Sequence, residues 1–533
     1  AVLVVLASFI LTAAVSLRPF ERLPHLEDEI AYLYQAKIFA GGQLVIPTPQ
    51  PRASYWQPFV VDFGGVRFGK YSPGWPLLLA VGVLLGQPWV VNAFLAALTV
   101  ALTYRLGRDL FGPATGLVAA VLLAASPMFL LLSGSLMAHT AATFFAVLLM
   151  WALRQSERRG SAPWRAALWG AVAGGALGML VNTRPLTAAG IALPLLLAAG
   201  MAILRGGWRR ARSADTWRGL GALFRAGRIA PGIVSGIVLW HRGKARKVRL
   251  ALVFTLVAGT VALLTPIYNT AATGDPTANL YTLVWSYDRV GFGPQFGRSG
   301  HTPEKALRNL RADLALWSSD LFGWPMPEAV HRWLRDNAGW WFGAGLSWFL
   351  IPAGLIAARR QRWTWRLLGA FAGLVFVHLF YWIGAQVYSA RYYAEAVPAL
   401  AILSAAGATA LARRVSRWAV YGPLAVLVAA SLLIYTPDRL AALWRFNNVG
   451  RDTIDALAAL RDGRPVLILV TGEERRSWRE WGTYMALTSP YLDSDVVAAR
   501  DHGLPGEREA ILGRFPGRQV LVLPPDGGLR AGE

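Results

Sequence analysis

Three consecutive acids, Glu27, Asp28 and Glu29, are the first residues of this chain whose types and spacing could do chemistry. They begin the segment EDEIAYLYQAKIFAGG, whose apolar residues follow helical spacing. A short helix with one apolar face is typical of a membrane surface. Acids in its first turn would complement the helix dipole. Three acids in an otherwise acid-poor half of the chain also fit a functional site, and spacing alone leaves both interpretations open.

Lys70 and His301 are candidates in two long segments between apolar runs. Lys70 stands in GKYSPGWPLLLAVG, just before an apolar run, at the depth expected for lipid headgroups. It could hold the phosphate of a lipid substrate as a point charge, or it could lie along apolar surface with its ammonium in water. His301 precedes a helical stripe of leucines and a tryptophan over 307–321. A catalytic or metal-binding role for His301 competes with that of a solvated loop histidine.

Ionisable residues at the edges of apolar runs form a third group of candidates. His139 stands in SGSLMAHTAATFF, and Arg391 and Tyr392 stand in GAQVYSARYYAEAVPAL. Charges at such positions are costly to bury and are functional candidates by default. The alternatives are an ion pair between Arg391 and Glu395, one helical turn away, and a capping or buried polar role for His139. Arg184, in VNTRPLT, is a further candidate at the same face.

The segments between these candidates predict an all-α polytopic membrane protein. The chain has 533 residues, of which 55% are hydrophobic and only 16% are charged. Soluble proteins have about 25% charged residues, and a spanning helix needs about 20 apolar residues. We expect about eleven transmembrane helices and count residues 1–17, which resemble a signal-peptide core without a cleavage site, as the first. The eleven runs are 1–17, 88–106, 113–133, 139–153, 164–182, 186–204, 250–271, 340–357, 365–384, 396–411 and 418–436.

Charge predicts the orientation of these helices. Five segments between them carry 25 of the 53 lysines and arginines but only three of the 30 acids. Basic residues in short loops mark the cytoplasmic side of a membrane. Nearly all of the net charge of +23 is therefore expected on that side, where it needs no nucleic acid. The five segments are 105–109, 154–165, 205–249, 359–366 and 413–417.

The extracytoplasmic side then holds three larger segments. We name them the first long loop (18–73), the second long loop (272–339) and the tail (437–533). The N-terminus is expected inside. The alternation of sides requires the short apolar run 74–86 to re-enter the membrane or to lie at its surface. The apolar middle of segment 205–249 is expected to lie on the anionic inner leaflet.

The tail predicts a small α/β domain (437–533) after the membrane domain (1–436). PVLILV at 465–470 and QVLVLPP at 519–525 are typical of buried strands, and TIDALAALRDG at 453–463 predicts a helix. The tail has no phosphate-binding loop and no metal-ligand spacing. The chain has no cysteine, which excludes disulfides and cysteine-ligated metal sites.

Four segments resemble, in this order, the GT-C glycosyltransferases: EDE, GKYSPGWPLLLA, YRLGRDLFGPATGLVAAVLLAASPMFLLLSGSLMAHT and ARYYAEAVPALAILSA. The resemblance covers residues 1–410. It is to the bacterial family 39-like branch, which looks related to protein O-mannosyltransferases and to the lipid A aminoarabinose transferase. The tail segment WREWGTYMALTSPYLDSDVVAARDHG resembles tails of some such proteins. The resemblance implies an enzyme of the bacterial plasma membrane with an extracytoplasmic active site.

The resemblance also implies a reaction and roles for the candidates. The donor is a sugar on a polyprenyl phosphate, the acceptor is a glycan, a lipid or a protein, and transfer inverts the sugar with a carboxylate as base. Asp28 matches that base, with Glu29 beside it, while Lys70 and Arg391 match cations that hold the phosphate. Many relatives have an aspartate where this chain has His139, so His139 could bind the acceptor, assist proton transfer or help to hold a divalent metal. The other expected substrate-binding residues are Tyr392, Arg184 and His301.

Two other classes of protein share some of these features. A transporter or flippase of lipid-linked sugars would also have many helices and basic edges. Inverted repeats and broken helices near the midplane are typical of transporters, and the sequence indicates neither. A membrane scaffold without activity would leave the acidic cluster and Arg391 unexplained. The sequence therefore favours a glycosyltransferase over both.

Overall fold

Helices dominate the parts of the chain that the computed structural model describes, which are residues 1–158, 162–211, 248–338, 345–472, 477–525 and 527–532. The first long loop adds a three-stranded sheet and the tail a four-stranded one. The helices are α1 (Val2–Leu17), α2 (Glu27–Ala40), α3 (Gly74–Leu84), α4 (Val90–Phe111), α5 (Pro113–Ala124), α6 (Pro127–Gly134), α7 (His139–Ser156), α8 (Pro163–Thr183), α9 (Pro185–Ala211), α10 (Val248–Thr273), α11 (Pro303–Asp320), α12 (Glu328–Ala338), α13 (Leu350–Ala358), α14 (Arg362–His378), α15 (Val397–Arg414), α16 (Arg417–Ala441), α17 (Arg451–Leu460), α18 (Gly482–Leu487) and α19 (Glu507–Arg514). The strands are β1 (Ile46–Pro47), β2 (Val60–Phe63), β3 (Val66–Gly69), β4 (Val466–Val470), β5 (Val496–Arg500), β6 (Gln519–Leu523) and β7 (Arg530–Ala531).

Five of the described helices are long and apolar enough to cross a membrane: α4, α8, α10, α15 together with the turn before it, and α16. α5 and α6 would together make a sixth, but they meet at an angle of 57°. The sequence predicts one uninterrupted helix over 113–133. Pro127 has no N–H and disfavours the helical conformation at Ser126, so the helix breaks there. Each of the eleven predicted runs contains a helix, but the number of crossings stays a prediction.

Three of the basic segments meet at one end of the helix bundle. Asp109, near the end of α4, pairs with Arg158, just after α7, at 2.9 Å. Glu157 pairs at 2.6 Å with Arg366, in the first turns of α14. The contacts agree with the prediction that these segments share one side of the membrane. The apolar middle of segment 205–249 lies outside the described residues.

At the other end of the bundle, α2 lies between the bundle and the tail. Ile30 packs into the core of the tail, while other α2 side chains join the core of the bundle. Trp478 Nε1 donates a hydrogen bond of 2.8 Å to Glu27 Oε1, and Lys37 Nζ donates one of 2.7 Å to the carbonyl of Ala486. The tail therefore helps to fix the helix that carries the acidic cluster.

The tail contains a four-stranded sheet in the order β5-β4-β6-β7, in which the first three strands are parallel and β7 is antiparallel. The strands predicted at 465–470 and 519–525 are β4 and β6, and the helix predicted at 453–463 is α17. The sequence does not predict β5, because VVAAR has only two β-branched residues before its alanines. The division of the chain at residue 436 stays a prediction.

The second long loop holds the segment between α14 and α15 in place. Its helix α11 corresponds to the stripe predicted over 307–321, and Trp317 is fully buried in the core of the bundle. Asp313, on the same helix, accepts hydrogen bonds from Ala385 N at 3.0 Å and from Tyr393 Oη at 3.4 Å. Burial raises the pKa of Asp313 to about 6. α11 thereby fixes the residues on either side of Arg391.

Candidate active site

Asp28 lies in the first turn of α2 and is half-buried. Its Oδ1 accepts a hydrogen bond of 2.7 Å from the hydroxyl of Tyr71. Lys70 and Arg184, two nearby cations, form ion pairs with other carboxylates, and no described residue forms one with Asp28. A partly accessible carboxylate that no cation neutralises is suited to accept a proton from a substrate.

Glu29, the next residue, has completely different surroundings. Its side chain is fully buried, and its Oε2 accepts hydrogen bonds from His25 N at 2.7 Å, Leu26 N at 3.2 Å and Tyr388 Oη at 3.2 Å. Its Oε1 accepts one of 2.8 Å from Leu136 N. Burial raises the pKa of Glu29 to about 7, although these hydrogen bonds act in the opposite direction. The contacts favour a positioning role for Glu29 over the catalytic role expected from the sequence.

Lys70 is buried at the end of the first long loop, with its Nζ 3.6 Å from Asp288 Oδ2. The ammonium lies over the Phe59 ring, 3.6 Å from its centre. Burial lowers the pKa of Lys70, whereas Asp28 and Asp288 raise it. Lys70 is therefore enclosed by protein and lies within electrostatic range of Asp28. The alternative interpretation was a lysine whose ammonium reaches water from a helix end. The buried ammonium of Lys70 does not fit that interpretation.

Arg391 and Arg184 both lie close to the ring of Tyr392. The guanidinium carbons are 5.4 Å and 5.8 Å from the centre of its ring. Arg391 is only 8% exposed, and its Nε has no hydrogen-bond partner among the described residues. Burial and Asp28 raise the pKa of Tyr32, one turn after Asp28, whereas both arginines lower it. Asp28 and the two arginines therefore all lie within electrostatic range of the same residue of α2.

The alternative ion pair between Arg391 and Glu395 does not form. Residues 391–396 are a 3₁₀ turn, in which positions four apart point in different directions. Glu395 Oε1 instead lies 3.2 Å from Arg184 Nε and 3.2 Å from His139 Nδ1. Both His139 and Glu395 are fully buried, and among the described residues His139 Nε2 and Glu395 Oε2 have no hydrogen-bond partner. His139 is thus a buried partner of Glu395 rather than a helix cap.

His301 lies apart from this cluster. It is fully buried, stacks on Phe292 with ring centres 5.0 Å apart, and has its Nε2 2.9 Å from the carbonyl of Leu379. These contacts join the second long loop to the end of α14. Because His301 is fully buried, it is not the solvated loop histidine of the alternative interpretation. Within the described ranges, no group of three or more side chains of the metal-binding types lies close enough to hold a metal ion.

One carboxylate of the cluster, Asp288, is not among the sequence candidates, and a second, Glu395, has no role assigned to it beyond its place at the edge of an apolar run. Asp288 belongs to a stretch rich in aromatic residues and glycine, which gives it the pattern of an ordinary loop acid. Glu395 enters the sequence argument as an acid at the edge of an apolar run and as the possible partner of Arg391. Only Glu395 stands directly beside a predicted apolar run, where ionisable residues are rare.

The likeness to solved structures confirms the GT-C fold that the sequence resemblance indicates. The structure is similar to that of ArnT from Cupriavidus metallidurans bound to undecaprenyl phosphate, with a TM-score of 0.58 and 14% identity over 98% of this chain and 93% of that one. For apo ArnT the TM-score is 0.53 at 13% identity, with the same coverage. The apo oligosaccharyltransferase of Archaeoglobus fulgidus gives 0.47 at 13% identity, covering 97% of this chain and 69% of that one. No protein-family model and no curated protein sequence matches the chain.

Proposed function

We propose that this protein is a glycosyltransferase that moves a sugar from a polyprenyl-phosphate donor to an acceptor at the extracytoplasmic face of the plasma membrane. The proposal rests on one observation: a carboxylate without an ion-pair partner, Asp28, lies among the cations Lys70, Arg184 and Arg391. Such a transfer needs a base for the acceptor hydroxyl and cations for the departing phosphate. The fold shared with ArnT, whose structure contains undecaprenyl phosphate, supports the same class of donor.

In the proposed reaction, Asp28 takes the proton of an acceptor hydroxyl while the hydroxyl oxygen attacks the anomeric carbon of the sugar. The bond from that carbon to the phosphate oxygen breaks, and the polyprenyl phosphate leaves as an anion. Attack from the face opposite the phosphate inverts the sugar. Arg391 can stabilise the leaving group through two parallel hydrogen bonds, and Lys70 stabilises it as a point charge.

The remaining residues of the cluster prepare the site. Glu29 holds the start of α2 against the bundle, so that Asp28 is fixed in direction. Tyr392 contacts both Arg184 and Arg391 through its ring, and both arginines lie within electrostatic range of Tyr32. Acceptor binding is proposed for the space that Asp28 faces. The chemistry of the residues is compatible with a glycan, lipid or protein hydroxyl.

The experiment is a transfer assay with the purified protein in lipid vesicles. Radiolabelled polyprenyl-phosphate sugars are the donors, and a membrane extract supplies the acceptors. We expect label to move from the lipid donor to a second molecule, and we expect Asp28→Asn to abolish this movement. A native protein that leaves the label on every donor tested would overturn the proposal.

A transporter or flippase of lipid-linked sugars is the second candidate. One observation favours it, because the broken pair of helices α5 and α6 is the kind of element that transporters use. Residues of the charged cluster, however, come from loops and helix ends rather than from this break. In the same vesicles a flippase would carry the labelled donor across the bilayer without changing it chemically, so analysis of the labelled product distinguishes the two functions.

A further inference from the structure

The ion pair of Lys70 and Asp288 has features that a fixed structural ion pair lacks. The two side chains are 3% and 2% exposed, and the closest distance between Lys70 Nζ and a carboxylate oxygen of Asp288 is 3.6 Å. The pair Arg67–Asp62 in the first long loop is different, because Arg67 donates from two nitrogens to both carboxylate oxygens at 2.6 Å and 2.7 Å. The closest approach of Lys70 to Asp288 is longer than either of these hydrogen bonds.

The surroundings of Lys70 allow its ammonium to move. Its Nζ touches ring faces, which attract a cation without a fixed direction. The ring centres lie at 3.6 Å for Phe59, 4.8 Å for Trp285, 5.1 Å for Tyr71 and 5.2 Å for Tyr281. A long flexible side chain in such a cage can change its ionic partner without losing its other contacts.

Asp288 has neutral partners that do not depend on Lys70. Its Oδ1 accepts hydrogen bonds from Tyr381 Oη at 2.9 Å and from Trp382 Nε1 at 3.0 Å. A buried carboxylate without partners would be costly. These two donors would continue to satisfy Asp288 if the ammonium of Lys70 turned away.

We propose that Asp288 is the resting counter-ion of Lys70 and that the phosphate of the lipid substrate displaces it. The inference rests on the proposed function and adds to it a residue that sets the affinity for the phosphate. Before the phosphate binds, Asp288 neutralises Lys70. Asp28 is then not needed as the counter-ion of Lys70 and stays available as a base. Asp288 positions Lys70 and is not itself a catalytic residue.

The competition between Asp288 and the phosphate for Lys70 would also affect the end of the reaction. The donor is a phosphate diester with one negative charge, whereas the departing polyprenyl phosphate is a monoester whose second ionisation has a pKa of about 6. The product is therefore more negative than the donor and would bind the cations of the site more tightly. Recapture of Lys70 by Asp288 opposes this binding and favours release of the product.

Two substitutions have opposite expected effects. Asp288→Asn removes the competing charge but keeps an oxygen for Tyr381 and Trp382, so polyprenyl phosphate should bind about tenfold more tightly, which corresponds to about 1.4 kcal/mol. KM for the donor and kcat should both fall, because product release slows. Tyr381→Phe removes a neutral partner from Asp288, which should then hold Lys70 more strongly and weaken binding of polyprenyl phosphate several-fold.

The test is a titration of undecaprenyl phosphate into the full-length protein in lipid nanodiscs, with inorganic phosphate as a second ligand to separate recognition of the phosphate from that of the lipid. The variants are Asp288→Asn, Lys70→Ala, their combination and Tyr381→Phe, with Asp275→Asn as the matched control on an exposed acid of the same loop. We expect Asp288→Asn to tighten binding only when Lys70 is present. Weaker binding, or the same change in the Lys70→Ala background, overturns the counter-ion role.

The same titration separates this inference from the proposed function. A native protein that binds no polyprenyl phosphate overturns both. A native protein that binds it, together with an Asp288→Asn variant of unchanged affinity, overturns the counter-ion role alone. If Asp288→Asn does not fold, Tyr381→Phe decides, since tighter binding by that variant contradicts the proposal.

Discussion

Replacement of Asp28 by asparagine tests the proposed base with almost no change in shape. The asparagine oxygen can still accept the 2.7 Å hydrogen bond from Tyr71, so folding should be preserved. General base catalysis contributes about 10²–10⁴-fold to a rate. We therefore expect kcat to fall by that factor, which corresponds to about 2.7–5.4 kcal/mol of activation free energy. KM for the donor should change little, because the phosphate is held by other residues.

Glu29→Gln is the matched control, since it makes the same chemical change on the next residue. All four partners of Glu29 are donors, and a glutamine would offer them one oxygen and an N–H₂ group. A buried donor left without a partner costs about 1–3 kcal/mol. We expect a lower melting temperature and less folded protein from Glu29→Gln, with kcat per folded molecule close to native.

The assay measures kcat and KM with a defined donor and acceptor, and the melting temperature of each purified variant. The reasoning predicts a kinetic loss for Asp28→Asn and a stability loss for Glu29→Gln. Near-normal transfer by Asp28→Asn would reduce Asp28 to an acid that complements the helix dipole. If a folded Glu29→Gln variant lost transfer at the same time, the base would have to be Glu29, and loss in neither variant would direct attention to His139.

Three further predictions concern other parts of the molecule. Arg391→Lys keeps the charge but loses the parallel hydrogen bonds to phosphate, so kcat should fall about tenfold, and native kinetics would contradict this role. Glu395→Gln leaves the partly buried Arg184 without its ion-pair partner and should lower the melting temperature, by less than the equivalent of the about 3–5 kcal/mol that a fully buried pair loses, whereas an unchanged melting temperature would show that the contact is unimportant. Alkaline phosphatase fused after residue 437 should be active in bacteria, and an inactive fusion together with an active cytoplasmic reporter at that point would reverse the orientation.

The helices were the most predictable part of the fold, because an apolar run of about 20 residues has few stable structures in a membrane. The break between α5 and α6 also had a signal, since Pro127 stands inside the run 113–133. The strands β4 and β6 are rich in valine, leucine and isoleucine. β5 lacked such a pattern, and its place in the sheet depends on pairing with β4 rather than on its own residues.

The sequence predicted several residues of the site, but it did not predict which residues they contact. Asp28, Lys70 and Arg391 stand in local patterns that the sequence displays. Their neighbours depend on the fold, as when Lys70 meets Asp288 from the second long loop. The helical spacing of Arg391 and Glu395 was misleading for a specific reason: a 3₁₀ turn precedes α15, and its three residues per turn carry Glu395 away from Arg391.

The acidic cluster shows how one helix divides three similar residues among three roles. Successive residues of an α-helix point about 100° apart, since there are 3.6 residues per turn. Glu27 therefore reaches Trp478 of the tail, Asp28 reaches Tyr71 beside Lys70, and Glu29 points into the bundle. The spacing of the three acids left both a structural and a functional interpretation open. The contacts favour the structural interpretation for Glu27 and Glu29 and the functional one for Asp28. Only Asp28 combines partial exposure with proximity to the cations, so the choice among three neighbouring carboxylates follows from the direction of each side chain.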